Sequence, residues 1–361
     1  MNKIGRMISI FIGTMSIVFV NIGYAQTKSD VANNEAKCVV KRAVFELGSG
    51  GTTVATARVN KCANTIVTLG NQVQKSMPYQ TYINTSADRK TLPEDAIKEG
   101  ITKIQEAKKE LGIDCNDIKC VGIATAAMRN AKNADIALEE IYKATKVKVS
   151  VISQKEEGLI GYYSAVIKAN LPAKKQETAI VLDIGGGSYQ VVYPDQSECV
   201  VYSGMVGSAI FRAMVIELVK SYSLHETSTP NPMTQHEIEE AKLLAIKAIG
   251  EPIIGVEQIK HLLQNPNKRI YGVGSFLKGM AKLCNKNTTE ITIDAVESTI
   301  KQLTLKSDDY IANHYKGFPY VNEMVTDLIF IHGIMKVLNI EILPIIDTNN
   351  TLGTFVLPKY W

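Results

Sequence analysis

Two segments of the chain share an alternation of apolar and polar positions around a glycine-rich centre. Val39 to Leu47 and Thr52 to Val59 are rich in β-branched residues and enclose the letters GSGG, which are typical of a turn between two strands. The stretch VLDIGGGSYQVVY repeats the pattern, and its Asp183 stands 137 residues after Glu46 (183 minus 46). The sequence therefore predicts two related β-hairpins, and such an internal repeat predicts a protein of two similar domains.

Helical spacing follows each of these hairpins. Apolar residues recur every three or four positions in TLPEDAIKEGITKIQEAKKELG, where Pro93 stands near the first turn and Gly112 is a stop signal. TQHEIEEAKLLAIKAIG begins with Thr234 and Glu237 at capping-box spacing. Strand patterns such as KVSVIS alternate with these helices, so the chain is predicted to be an α/β protein.

The composition is globular, and 361 residues suffice for two packed domains. The formal net charge is +4. Without Lys3 and Arg6, which lie in a segment expected to be removed, 38 basic and 36 acidic residues remain. This balance, with no basic cluster interleaved with aromatic residues, predicts no nucleic acid partner.

The first residues, MNKIGRMISIFIGTMSIVFVNIGYAQ, have a basic start, an apolar run and small residues before Gln26. With Gly23 and Ala25 at the −3 and −1 positions, residues 1–25 are predicted to be a secretory signal peptide. The mature protein would then be periplasmic or secreted, with no stable membrane insertion. The alternative is an uncleaved anchor, since the apolar run is near the lower limit for spanning a bilayer.

Six cysteines follow the predicted signal peptide, and an even number permits disulfides in an oxidising compartment. Cys38 and Cys62 are equidistant from residue 50, the predicted hairpin tip, so they are expected to face each other and form a disulfide. The alternative is two free, buried cysteines. Cys115 and Cys120 are candidates for a second, local disulfide, and the pairing of the last two cysteines stays open.

The two glycine-rich turns, each preceded by an acidic residue, are candidates for phosphate and metal binding. Backbone N–H groups in such turns can point together at an anion, and glycine permits its close approach. A polyphosphate also needs a cation, and Mg²⁺ prefers oxygen ligands. Glu46 and Asp183 are therefore predicted to hold hydrated Mg²⁺, or another divalent cation such as Ca²⁺ or Mn²⁺. The simpler alternative is that each carboxylate caps its own turn.

Hydrolysis also requires a base that orients water. Glu156 and Glu157 are adjacent at the start of a predicted helix, where neighbouring residues diverge by about 100°, so only one can face a given site. The alternative is that both acids stabilise the helix N-terminus through its dipole.

Five motifs in order, ELGSGGT, GIATAAMRNAKNA, VISQKEEGLIGYYSAV, LDIGGGSYQVV and GVGSF, resemble the exopolyphosphatase/guanosine pentaphosphate phosphatase (Ppx/GppA) family. This resemblance covers about Ala43 to Val356. It implies the two-domain actin-like ATPase fold of sugar kinases, Hsp70 and actin, with a glycine-lined cleft between domains. The N-terminal domain is assigned to 38–165 and the second to 166–361, whose final helix or strand could pack back on the first.

The resemblance also implies residue roles. Glu157 matches the catalytic base and Arg129 the phosphate-binding arginine of the family. Asp183 matches its metal-linked aspartate. Substrate-binding positions in the glycine turns are expected at Ser49, Gly50, Gly51, Gly185, Gly186, Gly187, Ser188, Gln190, Gly272, Gly274 and Ser275.

Some positions depart from the family pattern. Glu46 replaces an aspartate, Gly50 an asparagine, and Gln190 a glutamate. EEGLIGYY and Gln190 are similar instead to ecto-apyrase motifs. The expected function is a secreted hydrolase that releases terminal phosphate from polyphosphate or guanosine pentaphosphate. The alternatives are an apyrase-like nucleotidase or a weakly catalytic protein that binds nucleotide or polyphosphate. A homodimer is a further expectation for this protein.

Overall fold

A computed structural model describes residues 37–196, 198–250, 253–285, 289–316, 318 and 320–361. The predicted signal peptide lies outside these residues. The chain divides into two compact units. The first unit contains the described residues up to Gln176 together with Asn349–Trp361, and the second unit is Glu177–Thr348. The domain boundary placed at 165/166 falls inside a helix of the first unit, because that helix continues to Lys168.

The first unit is built around a five-stranded sheet with the order β3-β2-β1-β4-β5. Its strands are β1 (Val39–Leu47), β2 (Gly51–Asn60), β3 (Thr65–Ser76), β4 (Lys119–Ala124) and β5 (Val149–Val151). Its helices up to residue 176 are α1 (Tyr79–Thr85), α2 (Glu94–Leu111), α3 (Ala126–Asn130), α4 (Ala134–Thr145), α5 (Gln154–Lys168) and α6 (Ala173–Gln176). Helix α2 ends as predicted, because Gly112 adopts the left-handed conformation with φ of 59°.

The second unit contains a four-stranded sheet with the order β8-β7-β6-β9. Its strands are β6 (Ala179–Ile184), β7 (Tyr189–Asp195), β8 (Glu198–Gly204), β9 (Arg269–Val273), β10 (Glu290–Thr292) and β11 (Ile342–Pro344), the last two forming a separate pair. Its helices are α7 (Ser208–Met214), α8 (Gln235–Gly250), α9 (Ile253–Leu263), α10 (Gly274–Cys284), α11 (Ile293–Leu303), α12 (Asp308–His314) and α13 (Met324–Leu338), with a π-helical turn at Val215–Val219. The capping box of Thr234 and Glu237 before α8 is confirmed.

The last helix, α14 (Asn350–Val356), belongs to the first unit and covers one face of its sheet. Successive residues of β1 point to opposite faces. Phe45 packs among helices on one face, whereas Val44 packs with Phe355 and Val356 of α14 on the other. The central strand β1 is therefore buried on both faces. Among the described residues, no helix combines the length and apolar character that crossing a bilayer requires.

The predicted internal repeat is confirmed by strand register. Glu46 pairs with Thr53 in the first hairpin, and Asp183 pairs with Gln190 in the second. Both turns are closed by the same hydrogen bond, from Gly48 N to Gly51 O at 2.8 Å and from Gly185 N to Ser188 O at 2.9 Å. In both units the acid-bearing strand also pairs in parallel with a later strand, β4 or β9.

The disulfide between Cys38 and Cys62 is present, with 5.6 Å between its Cα atoms, but the register used to predict it was wrong by one residue. The last residue pair of the ladder is Val39 with Asn60. In this register Cys38 lies opposite Lys61 and not opposite Cys62, and the N–H of Lys61 donates a hydrogen bond to Cys38 O. Both cysteines lie beyond the ladder, where the chain turns, and this lets them meet despite the offset. Cys115 and Cys120 form the second disulfide, while Cys199 and Cys284 are free.

Candidate active site

The start of α5 separates the two adjacent glutamates. Ser153 caps the helix, accepting a hydrogen bond from Glu156 N, while the Glu156 carboxylate accepts one from Ser153 N. Glu156 is thereby used in a capping box, and it also pairs with Lys359. Glu157 points the other way and is only 6% exposed. The structure therefore leaves Glu157, and not Glu156, as the buried carboxylate.

Arg129 holds the buried carboxylate in place. It lies on the short helix α3 that follows β4, and its Nη2 is 3.0 Å from Glu157 Oε2. Its Nη1 donates a hydrogen bond of 2.8 Å to Ile152 O, at the end of β5. Burial raises the pKa of Glu157, and the charge and hydrogen bond of Arg129 oppose this rise. The pair gives a carboxylate that is more basic than one in water.

Glu46, near the end of β1, is a half-buried residue of the same unit whose carboxylate is withdrawn from water. Its Oε1 accepts a hydrogen bond of 2.8 Å from Asn350 Nδ2. Its Oε2 is buried and has no hydrogen-bond partner within the described part of the chain. Burial raises the pKa of Glu46 to about 7, a rise that Asn350 opposes and the negative charge of Glu157 increases. Glu46, Glu157 and Arg129 thus form one electrostatic cluster.

In the second unit, Asp183 at the end of β6 lies beside the glycine that begins α10. Gly274 has φ of +93°, and a β-carbon there would lie 2.7 Å from Asp183 Oδ1. Only glycine accommodates both the backbone conformation and this contact. Gly274 N donates to Thr348 O, and the preceding Gly272 forms a bridge with Ile345. The predicted glycine turn at 272–275 is therefore a direct strand-to-helix junction beside the acid.

The first residues of α7 form hydrogen bonds with the loop at residues 185–188. Ser208 N and Ala209 N donate to the carbonyls of Gly185 and Gly186. A β-carbon at Gly207 would lie 2.4 Å from Ser188 N, so this glycine permits the close packing. Backbone hydrogen bonds and close packing at Gly207 therefore hold the loop in place.

Two of the predicted substrate-binding residues, Ser188 of this loop and Gln190 of β7, contact each other. Gln190 is 1% exposed, and its Nε2 donates a hydrogen bond of 3.1 Å to Ser188 Oγ. In the first unit, Ser49 is buried and Gly50 is exposed. Their carbonyls accept hydrogen bonds from Gln80 N and Met77 N, which fix the first turn as well.

The sequence reasoning missed two partners of the cluster, Asn350 and the Ile152 carbonyl. The letters DTNNTLGTF carry a helix-capping signal, since Asn349 Oδ1 accepts a hydrogen bond from Thr351 N. That signal could have located the helix start, but the contact of Asn350 with Glu46 spans 304 residues. A backbone carbonyl leaves no signal in the sequence.

The residues fit a hydrated divalent cation in part. The described residues contain no group of three or more histidine, cysteine or acidic side chains arranged for a metal. Mg²⁺ keeps several waters and needs only one or two carboxylates. The unpartnered Oε2 of Glu46 is a suitable oxygen, and a nearby cation would offset the cost of ionising this buried acid.

Comparison with known protein families identifies a phosphatase family. The model of the Ppx/GppA phosphatase family matches residues 60–309, well over half of the chain. The chain therefore belongs to the Ppx/GppA phosphatase family, as its motifs predicted. Retrograde regulation protein 2 of Saccharomyces cerevisiae is 27% identical over 211 residues, which are 57% of this chain and 33% of that protein. The chain thus spans about a third of the length of this curated relative.

Solved structures show the same fold at lower identity. The Aquifex aeolicus PPX-GPPA enzyme is 18% identical with a TM-score of 0.63, over 88% of this chain and 99% of that chain. An exopolyphosphatase from Cytophaga hutchinsonii is 13% identical with a TM-score of 0.66, over 87% of this chain and 96% of that one. The predicted α/β fold of the actin-like ATPase class is confirmed.

Glu46 predicts a measurable pH dependence of stability. Its pKa is about 7 in the folded protein against 4.5 for the ordinary group, so between these values the folded state keeps a proton that the unfolded state has lost. Stability is therefore highest below pH 4.5 as far as this group is concerned, and falls as pH rises to about 7. A difference of two and a half pKa units corresponds to about 3 kcal/mol.

The test compares wild type with Glu46→Gln by urea unfolding in chelator across this pH range. The free energy of unfolding of wild type should fall relative to the variant by about 3 kcal/mol. Asp135→Asn, which removes an exposed acid of α4, is the control and should keep the wild-type pH dependence. A constant difference between wild type and Glu46→Gln would contradict the raised pKa.

Proposed function

We propose that this protein is a phosphoanhydride hydrolase that releases terminal phosphate from polyphosphate or guanosine pentaphosphate. The observation that carries the proposal is the buried Glu157 carboxylate held by Arg129, beside Glu46. Membership in a phosphatase family supports it, as does the likeness to an exopolyphosphatase structure.

Glu157 is proposed as the general base. Burial raises the pKa of its carboxylate above the ordinary value, which makes the ionised form a stronger proton acceptor. A water molecule would give its proton to Glu157 and attack the terminal phosphorus. The bridging P–O bond would break, releasing orthophosphate and a chain shorter by one phosphate.

Arg129 is proposed to orient Glu157 and to neutralise phosphate oxygens. One side of its guanidinium is fixed on the Ile152 carbonyl and the other on the carboxylate, so the positive charge is held before substrate arrives. Such preorganised charge acts mainly on the transition state. The glycine turns at 48–51 and 185–188 are proposed to supply backbone N–H donors to phosphate.

A divalent cation, Mg²⁺ first among them, would neutralise the charge that develops on the phosphate oxygens. Glu46 is proposed as a ligand of its waters in the first unit, and Asp183 as the metal-linked acid of the second. Glu46 is suited to this because one carboxylate oxygen is committed to Asn350 while the other is unpartnered.

One observation favours an apyrase-like nucleoside tri- or diphosphatase as the second candidate. Gln190 is buried against Ser188 at the position opposite Asp183, and a glutamine here is similar to the apyrase motif. Phosphate release from polyphosphate, guanosine pentaphosphate and nucleoside triphosphates distinguishes the two hydrolases. Binding without release would indicate the weakly catalytic alternative. The homodimer stays a prediction.

We expect Glu157→Gln to lower kcat by about two to four orders of magnitude, with much less change in KM. Glu156→Gln is the matched control, because glutamine preserves the capping box and leaves the Arg129 contact intact. Steady-state phosphate release is the measurement. Equal turnover in wild type and Glu157→Gln would remove Glu157 as the base.

Removal of divalent cations should abolish hydrolysis, and restoring Mg²⁺, Mn²⁺ or Ca²⁺ one at a time should identify the effective ion. The expectation follows from the charge of a polyphosphate and from the two acids at the strand ends. Full phosphate release in excess chelator would contradict the metal role of Glu46 and Asp183 and would indicate that both acids are purely structural.

The protein is further proposed to act in the periplasm or outside the cell, which its two disulfides support. In cell fractions it should be recovered outside the cytoplasm with Gln26 as its first residue. Peptide mapping without reduction should show Cys38 joined to Cys62. Cytoplasmic recovery with residues 1–25 attached, or free thiols at both cysteines, would refute this.

A further inference from the structure

A cavity of about 590 Å³ opens in the first unit, away from the acid end of β1. Arg42, at the early end of β1, lines it, and Glu46 lies four residues further along the strand, about 13 Å away. The volume is within the usual range of small-molecule sites. The cavity is therefore separate from the cluster of Glu46, Glu157 and Arg129.

The charged side chains that line this cavity are mostly basic. Lys41 and Arg42 come from β1, Lys61 from the turn after β2, and Lys119 from the start of β4, against one acid, Asp117. The whole chain is nearly balanced in charge, with 40 basic and 36 acidic residues. A concave site with four cations and one acid is thus a local concentration of positive charge, which attracts anions.

Arg42 is the strongest indication of a ligand. It is only 5% exposed, and it forms no ion pair with any acid of the described residues. Its Nη1 donates to Phe355 O at 2.8 Å, while its Nε is buried without a hydrogen-bond partner. Burial lowers the pKa of Arg42, which expresses the cost of keeping this charge away from water. An anion in the cavity would compensate that cost.

Both disulfides hold the walls of the cavity. Cys38–Cys62 joins the start of β1 to the turn that carries Lys61. Cys115–Cys120 closes the loop that supplies Asp117 and Lys119. The positions of these cations are therefore constrained covalently before any ligand binds, which lowers the entropic cost of binding.

The aromatic residue of the cavity does not favour a nucleobase. The ring of Trp361 is stacked with Phe355, with 6.3 Å between centroids, and Arg42 lies 4.2 Å from its ring centre. These contacts use the indole to position the guanidinium. Recognition then rests on charge and hydrogen bonding, for which a compact oxyanion is the better match.

We propose that this cavity is a second anion-binding site, which takes a phosphate-type oxyanion of two or more negative charges. The ligand is either free orthophosphate or pyrophosphate, or a segment of a polyphosphate chain. The proposal does not depend on hydrolysis at Glu157.

The chain provides its own reporter, because Trp361 is its single tryptophan and lines the cavity. Tryptophan fluorescence is measured during titration with orthophosphate, pyrophosphate and long-chain polyphosphate, at constant ionic strength set with chloride. The Glu157→Gln protein is titrated in parallel so that no ligand is consumed. A saturable change is expected in both proteins.

Substitution of Lys61 and Lys119 by alanine should weaken the response by at least about tenfold, since two cations that contact the anion are lost. Lys98→Ala with Lys109→Ala removes the same charge from exposed positions of α2, outside the cavity, and should leave the affinity unchanged. Circular dichroism confirms that both double variants are folded.

Saturation by orthophosphate or pyrophosphate would identify a free anion, and saturation by long chains alone would identify polyphosphate. No saturable response to any of the three, or an equal response in the Lys61/Lys119 variant, would overturn the proposal. Phosphate release is assayed on the same samples. A fluorescence response without hydrolysis by wild type would refute the proposed function and leave this site standing.

Discussion

One short helix hydrogen-bonds to two charged side chains of the central strand of the first unit. Asn350, at the start of α14, donates to Glu46, and the carbonyl of Phe355, near its end, accepts from Arg42. Arg42, Val44 and Glu46 share one face of β1 because strand side chains alternate. A buried acid and a buried base, each costly alone, are thus both stabilised by a single element.

The neighbours of the acidic residue differ between the two hairpins. Glu46 reaches a side chain of the covering helix, and the additional methylene of glutamate provides that reach. Asp183 lies against Gly274, which has no side chain, so a shorter acid is sufficient there. The hairpins share a register and a closing hydrogen bond. The surroundings of the two acids therefore differ although the hairpins themselves are alike.

Local signals allowed much of the fold to be predicted. The two hairpins, the helix ended by Gly112 and the capping box of Thr234 follow from residues close in sequence. The hairpin register could not be obtained from Cys38 and Cys62, because both lie beyond the ladder, where the chain is no longer extended. The choice between Glu156 and Glu157 required the capping geometry of Ser153. The contact of Asn350 with Glu46, and the basic cavity, combine segments from distant parts of the chain, so no local pattern indicates them.

The connectivity of the chain also has a consequence for the order of synthesis. The second unit is continuous from Glu177 to Thr348 among the described residues, whereas the first unit needs Asn349–Trp361 for completion. A ribosome therefore delivers the full second unit before the first can close. Until the last residues emerge, Val44 and its apolar neighbours lack the cover of α14, and Arg42 and Glu46 lack their partners. A chain that ends before these residues would leave this face of β1 uncovered and both charged side chains without their hydrogen-bond partners.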